Sequence, residues 1–267
     1  MSAQSELEQI LTFAQQVCHE AGRLTVGYFR RSLEVIQKAD DSPVTIADRE
    51  AEQFVRSAIE KKFPNHSIMG EEHGTKESSS TWKWYIDPID GTKAFIHGIP
   101  FYTMLVGVTR EGRSVAGIIE VPAIGDQIAA ADGLGCRLNG LPIRASTVDD
   151  LSKATVLTTD FQHLAKTWPD ERWKPLFDNC KFARTWGDGY GYYLVASGRA
   201  EIMVDAAVFP YDVAPMPVIF REAGGAFFDW NGEEAIHSGH GAASNAHLAP
   251  LVKRALRSRV LEHENKE

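Results

Sequence analysis

The run Asp87-Pro88-Ile89-Asp90-Gly91-Thr92 holds the most concentrated chemical potential in the chain, and it follows the strand-like stretch Lys83-Trp84-Tyr85-Ile86. Two carboxylates three positions apart at a strand end can converge on one point. Pro88 restricts the residue before it and stiffens the turn. Gly91 lets backbone approach a ligand closely. A helix starting near Gly91 would aim its free N–H groups and positive dipole end at the same point, an arrangement that binds phosphate. Carboxylates for Mg²⁺ beside amides for phosphate make a coherent phosphoryl site. Taken alone, however, Asp-Pro and Asp-Gly are common turn chemistry. Three other acidic elements share that ambiguity: Glu71-Glu72 within GEEHG, Asp48 within VTIAD, and Asp212 after Phe209-Pro210-Tyr211. Adjacent loop glutamates are usually solvated, and Asp48 and Asp212 each suit a helix cap.

The elements that must position these residues can be outlined from periodicity. Leu7, Ile10, Leu11, Ala14, Val17, Cys18, Ala21 and Leu24 recur at helical spacing and predict an amphipathic helix over 6–29. A second helix is predicted over 47–63, ended by Pro64-Asn65. Short strands follow at 66–69, 83–86, 103–110 and 114–121, the last two flanking a Glu111-Gly112 hairpin turn. Further strand signals lie at 127–131 and 137–138, before a turn at Asn139-Gly140. Residues 142–149 read as a link. Beyond it, strands at 155–159, 202–204 and 226–229 alternate with helices at 186–197, 213–222 and 248–261; Gly198 and Gly224-Gly225 are the stops of the first two. This order predicts a layered α/β (α+β) architecture.

Composition narrows the classes. The 267 residues suit one large domain or two fused lobes, and 43% hydrophobic content is ordinary for a globular chain. No apolar run approaches the ~18 residues of a membrane span. The polar, acidic start lacks a secretory leader's pattern, so the cytoplasm is the expected compartment. A net charge of -8 argues against nucleic-acid binding. It is compatible with a phosphorylated substrate, because a metal ion can invert the local field. Cys18, Cys136 and Cys180 form neither a disulfide framework nor a CxxC pair. His237 and His240 make an HxxH, but no third ligand has matching spacing, and the Ser and Gly around them indicate a loop.

Together, and in this order, the segments VTIADREAE, GEEHG, WYIDPIDGTKAF, FPYD and REAGG resemble the inositol monophosphatase family of metal-dependent phosphatases over nearly the whole length. WYIDPIDGT is the most specific of them. The resemblance implies a layered αβαβα sandwich, usually a homodimer, with two or three Mg²⁺ ions. It implies one phosphatase domain over 1–267, with a lobe of roughly 1–145 for metal and phosphate and one of 146–267 for substrate specificity. Carried over by position, Glu71, Asp87, Asp90, Asp212 and the Ile89 carbonyl look like metal ligands. Thr92 and Asp48 match the pair that activates the attacking water, and Glu71 shares in catalysis. Gly91 and Thr92 match the phosphate contacts, and Glu72 supports the metal shell. Many members have Trp-Asp where this chain has Tyr211-Asp212, which keeps both the aromatic neighbour and the carboxylate.

Substrate choice is expected away from the metals, in the run Arg184-Thr185-Trp186-Gly187-Asp188-Gly189-Tyr190. Inositol-type members usually carry small neutral residues near Asp188. Asp205, seven residues before Asp212, matches the family's substrate-hydroxyl contact. With Gly187 and Asp212, these acids would suit a substrate bearing an ammonium or imidazole. The run WGDGYGY followed by LVASGRAEIMVD looks like the histidinol-phosphatase branch, which implies L-histidinol phosphate, a small phosphorylated substrate, as the ester cleaved. Inositol-1-phosphate or broad sugar-phosphate hydrolysis is the main competitor. A 3'-phosphoadenosine nucleotide phosphatase and a non-catalytic metal-binding module are weaker alternatives. A structural role for Asp188, as a helix N-cap, is compatible with substrate contact.

Overall fold

In the computed structural model, which describes residues 3–38 and 42–257, the chain opens with helix α1 (Ala3–Tyr28). A small antiparallel pair, β1 (Ile36–Gln37) and β2 (Pro43–Val44), leads into α2 (Ile46–Lys62). Then come β3 (Ser67–Gly70), β4 (Gly74–Lys76), β5 (Trp82–Asp90), the short α3 (Thr92–Ile96), β6 (Thr103–Arg110), β7 (Arg113–Val121), β8 (Asp126–Ala131), β9 (Gly135–Leu138) and β10 (Leu141–Pro142). After a 3₁₀ turn (Leu151–Lys153), the second half runs β11 (Thr155–Leu157), α4 (Phe161–Thr167), α5 (Lys174–Asp178), β12 (Phe182–Arg184), α6 (Asp188–Ala196) and β13 (Ile202–Asp205). It ends with α7 (Pro210–Val213), α8 (Met216–Ala223), β14 (Gly225–Phe228), β15 (Gly241–Asn245) and α9 (Ala249–Leu256).

Beside the β1–β2 pair, two larger sheets result among the described residues: an eight-stranded one in the order β10-β9-β8-β7-β6-β5-β3-β4 and a five-stranded one in the order β12-β11-β13-β15-β14. Side-chain alternation along the strands assigns their faces. Trp84, Ile86, Met104, Val106 and Val108 pack against Ile10, Ala14 and Val17 of α1 and Val55 and Ile59 of α2. Their neighbours Tyr85, Leu105 and Ile119 point the other way, into a core with Tyr192 and Val195 of α6 and Ile219 and Phe220 of α8. That core also takes in Met203, Phe227 and Ala243 from the second sheet. On the far face, Ile202, Val204 and Phe228 meet Leu176 of α5 and Val252 and Leu256 of α9. The layers are therefore helix, sheet, helix, sheet, helix, as the resemblance implied. No helix among the described residues is long and apolar enough to cross a membrane.

Several elements differ from the periodicity reading for identifiable reasons. The helix predicted over 213–222 starts only at Met216, as α8 with Pro215 at its N-cap, and a separate single turn, α7, ends at Val213. Proline has no N–H to continue a preceding turn. The strand predicted over 83–86 runs on to Asp90 with a register shift between Asp87 and Asp90, so the acidic run forms the end of a strand that lies between β6 and β3. The helix predicted over 186–197 begins at Asp188. The last helix ends at Leu256, and 258–261 of its predicted span lie outside the described residues. Elements α4, α5, β1, β2, β4 and β12 are too short or too polar to carry a periodic signal.

One close approach positions the second half over the first. Gly107 of β6 pairs with Gly117 of β7, and the corner between α7 and α8 sits on both. A Cβ at Gly107 would lie 2.5 Å from the Ala214 Cβ, and one at Gly117 would lie 2.6 Å from the Pro215 carbonyl oxygen. Ser114 adds a hydrogen bond of 2.7 Å to the Ala214 carbonyl. This contact fixes where Asp212, two residues earlier, meets β5. Gly117→Val is expected to lower unfolding stability by about 1–3 kcal/mol through overpacking against backbone that has little room to yield. Urea denaturation measures it, and an unchanged midpoint would show that the corner is not closely seated.

Candidate active site

The end of β5 supplies the first carboxylates. Asp87 is buried, and its Oδ1 accepts the Ile89 N–H at 3.1 Å. The Ile89 side chain is fully buried in a small cluster with Ala47, Phe95 and Tyr102, which anchors the turn against α2. Gly91, in the left-handed region at φ 82°, then swings the chain into α3, a helix of five residues. The Thr92 hydroxyl lies 3.0 Å from the Ile89 carbonyl oxygen and 3.5 Å from Asp48 Oδ1. Asp48 Oδ2 in turn accepts the Thr45 N–H at 2.8 Å and the Thr45 hydroxyl at 2.6 Å. Thr45, not Asp48, is the N-cap of α2. Asp48 is the reciprocal partner in a capping box, which leaves Oδ1 directed at Thr92.

From the end of β3 come Glu71 and Glu72. Lys38, just beyond β1, donates from Nζ to Glu71 Oε1 at 2.7 Å and to Glu72 Oε1. Lys38 carries no signal in the sequence because an isolated lysine in a short irregular stretch forms no pattern. The second half contributes Asp212, whose Oδ2 accepts the Phe209 N–H at 2.8 Å. Asp212 is the third residue of α7 and Phe209 its N-cap, so Asp212 is not the N-cap suggested for it but the carboxylate that caps back onto the Phe209 N–H.

Asp188 lies at the junction of the two halves. It is the first residue of α6, with φ at 54°, and Gly187 is the N-cap, so the N-cap role expected for Asp188 is also corrected. Its N–H donates to Thr159 Oγ1 at 2.8 Å, and that hydroxyl donates to Asp205 Oδ1 at 2.7 Å. A Cβ on Gly91 would lie 3.1 Å from Asp188 Oδ2, which places this carboxylate directly on the turn of the acidic run. Next to it, the Gly189 N–H donates to Asp90 Oδ2, which the Thr103 hydroxyl also reaches at 3.2 Å. A side chain at Gly189 would strike both of those partners, and one at Gly187 would strike the Thr159 backbone. Thr159 and Thr103 were missed from the sequence, because threonine in or beside a strand carries no distinguishing pattern.

These residues surround a cavity of about 260 Å³ lined by Glu71, Asp87, Asp90, Gly91 and Asp212, together with Lys38 and the stacked rings of Phe209 and Tyr211. A second cavity, of about 170 Å³, is lined by Asp205, Thr159, Asp160, His163 and Lys93. Asp188 stands between the two, against Gly91 of the first and bonded through its N–H to Thr159 of the second. Of the expected site residues, Glu71, Asp87, Asp90, Gly91 and Asp212 line the first cavity and Asp205 the second, while Asp48, Glu72, Ile89, Thr92, Gly187 and Asp188 line neither.

The inositol monophosphatase family profile matches residues 6–262. The chain belongs to the inositol monophosphatase family. It is a phosphatase of that family, with the mixed α/β fold of its members. It is 42% identical over 235 residues to a histidinol-phosphatase of Chlorobaculum parvum, covering 88% of this chain and 91% of that one. It is 32% identical to inositol monophosphatase 3 of Solanum lycopersicum, covering 96% and 99% of the two chains. Among solved structures, an inositol monophosphatase from Zymomonas mobilis superposes with a TM-score of 0.83 at 30% identity, covering 96% of this chain and 99% of that one.

Family membership raises the question of whether the donor set fits a metal. The cavity offers oxygen ligands and neither histidine nor cysteine, which suits a hard cation such as Mg²⁺. Among the described residues no three Asp, Glu, His or Cys side chains already stand at ligand spacing, so the carboxylates face one space without closing on it. Their electrostatics point the same way. Burial, then the charges of Glu71, Asp90 and Asp212, hold Asp87 well above the usual carboxylate range. Burial, then Asp188 and Asp212, does the same to Asp90. Burial pushes Asp212 to about 8, against the relief of the Phe209 bond, and pushes Asp205 to about 7. Asp48 and Asp188 rise to about 6, again chiefly through burial. Burial opposes the Lys38 charge, yet its bonds to Glu71 and Glu72 outweigh this and raise its pKa. The acids thus face one another with little compensating charge.

Carboxyls whose folded pKa exceeds the unfolded value bind more protons when folded, so stability falls as pH rises through the interval between the two. Here that interval runs from the ordinary aspartate value near ~4 up to about 8. In EDTA, thermal unfolding is therefore expected at higher temperature at pH 5 than at pH 8. Added Mg²⁺ should raise the midpoint more at pH 8. Equal Mg²⁺ shifts at both pH values would contradict a site built from these acids.

Proposed function

We propose that the chain is a Mg²⁺-dependent phosphate monoesterase that hydrolyses L-histidinol phosphate to L-histidinol and phosphate, a reaction of histidine biosynthesis. The observation that carries the substrate assignment is Asp188: its carboxylate is placed against Gly91, and the Lys93 charge that favours its ionised form makes no salt bridge to it. A substrate bearing an ammonium or imidazole would give this carboxylate a directly paired charge, which a neutral polyol would not. The 42% identity to a relative named histidinol-phosphatase supports the same choice.

In this reading Glu71, Asp87, Asp90, Asp212 and the Ile89 carbonyl hold the metal, in two or three Mg²⁺ ions, and Glu72 steadies that edge. Bound Mg²⁺ offsets phosphate charge and lowers the pKa of water. The protein's own groups do the rest. Backbone N–H groups of Gly91 and Thr92 face the phosphate. The Thr92 hydroxyl, 3.5 Å from Asp48 Oδ1, passes the attacking water's proton to that carboxylate, with Glu71 orienting the water. The new O–P bond forms in line as the ester P–O bond breaks, and the leaving oxygen takes up a proton. Gly187 and Asp188 meet the organic part of the ester, Asp205 lies at its hydroxyl, and Asp212 borders both metal and substrate. Catalysis is then mainly positioning and charge stabilisation. A homodimer acting in the cytoplasm on this small phosphorylated substrate, with neither nucleic acid nor membrane as partner, completes the proposal.

Inositol-1-phosphate remains the second reading, because a relative at 32% identity bears the name inositol monophosphatase. A phosphate-release panel of purified protein with and without Mg²⁺ separates the two. The expected result is Mg²⁺-stimulated release, with kcat/KM for histidinol phosphate at least about tenfold above that for inositol-1-phosphate, the effect of one charge-assisted contact. Asp188→Asn should raise KM for histidinol phosphate by about tenfold and leave a neutral ester nearly unchanged. Equal effects on both esters would remove Asp188 from amine recognition, and a clear preference for inositol phosphate would transfer the assignment to the second reading.

A further inference from the structure

The loop that carries Glu71 and Glu72 rests on a buried ion pair from α2. Glu52 lies one helical turn beyond Asp48 and is 0% exposed. Its Oε2 accepts the Glu72 N–H at 2.6 Å, and its Oε1 accepts the His73 N–H at 3.1 Å. Arg56, a further turn along, donates from Nη2 to the His73 carbonyl at 3.1 Å and to the Gly74 carbonyl. Its Nε stands 3.6 Å from Glu52 Oε1. The Arg56 Nε and Nη1 are buried and make no hydrogen bond among the described residues, so the guanidinium is held by two loop carbonyls and the charge of Glu52. Gly70 leaves the carboxylate its space: a Cβ there would lie 2.0 Å from Glu52 Oε1.

A buried carboxylate is costly unless its oxygens are hydrogen-bonded and its charge is paired. Glu52 meets both conditions only while the backbone of 72–74 keeps its present path. The dependence runs in both directions: the loop satisfies the pair, and the pair fixes the loop. We propose that Glu52 and Arg56 are a positioning pair for the metal-facing edge, fixing the backbone of Glu72, His73 and Gly74 so that Glu71 presents its carboxylate to the cavity and Glu72 holds Lys38 beside it. This rests on the phosphatase reading above. In it α2 serves the site twice, through Asp48 beside Thr92 and through Glu52 beneath the glutamates. Neither Glu52 nor Arg56 lines the cavity, so both act through other residues.

Mg²⁺ binding by calorimetry, with thermal unfolding alongside, tests the pair. Glu52→Gln keeps the side chain's size but turns one acceptor oxygen into an NH₂ group facing a backbone N–H. Arg56→Lys keeps the charge but cannot reach two carbonyls as the guanidinium fork does. Both variants should weaken Mg²⁺ binding about 10- to 100-fold, the usual effect of losing a group that orients metal ligands. Activity should recover substantially at saturating Mg²⁺, and the two losses should be far from additive in the double variant. Should Glu52→Gln not fold, Arg56→Lys decides by the same measurement. A folded variant of lower melting temperature that binds Mg²⁺ within twofold of wild type would show a merely structural role and overturn the proposal. Absence of Mg²⁺ binding by the wild type would instead overturn the metal-dependent reading itself.

Discussion

The bond from the Gly189 N–H to the Asp90 carboxylate ties the start of α6 to the end of β5, and with it the second half of the chain to the first. Asp90 belongs to the eight-stranded sheet, whereas α6 lies in the helical layer between the sheets. At this junction Asp188 is delivered onto Gly91, and the Thr159 hydroxyl links the same turn to Asp205. Glycine is required at 189 because any Cβ there would meet Thr103 and Asp90 together. The cleft exists because the two halves approach this closely, and the approach is possible because three glycines, at 107, 117 and 189, leave room for backbone or side chain of the other half.

Bringing so many acids together has an energetic consequence. Asp87, Asp90, Asp205 and Asp212 all have raised pKa values, with burial as the leading cause and one another's charges adding to it. Such an arrangement is unfavourable for the fold on its own and favourable for binding cations. The surrounding structure resists the repulsion through local bonds: Ile89 to Asp87, Phe209 to Asp212, Thr45 to Asp48, and Glu72 and His73 to Glu52. Each bond holds one carboxylate or its backbone in place, so the acids cannot simply swing out to solvent. Lys38 is the cation that reaches Glu71 and Glu72.

Much of the site was legible in the sequence because its most informative part is local. Asp87 to Thr92 forms one strand end and one turn, so its chemistry follows from adjacent residues. Long helices such as α1 and α2 were legible as well, since each repeats an apolar stripe over several turns. What escaped was set by partners distant in the chain. Thr103 and Thr159 look like ordinary strand residues until they meet Asp90 and Asp205. Glu52 reads as one more charge on a helix face, yet it is fully buried beneath a loop twenty residues later. The N-cap positions suggested for Asp48, Asp188 and Asp212 fall instead to Thr45, Gly187 and Phe209, because the helices start where the backbone turns, and Asp48 and Asp212 then cap from the third helical position.

By itself the sequence determined the class of chemistry, since acids in this order with Asp-Gly-Thr match a phosphatase family, and it determined the alternation that builds two sheets. Tertiary structure decided which acids share a cleft, how strongly burial and mutual repulsion raise their pKa values, and which glycines had to remain glycine. The reason is physical. Residue type and spacing fix local conformation and face, but charge energetics depend on distance and burial. Here those are set where β5, α6 and α7 meet from two halves of the chain.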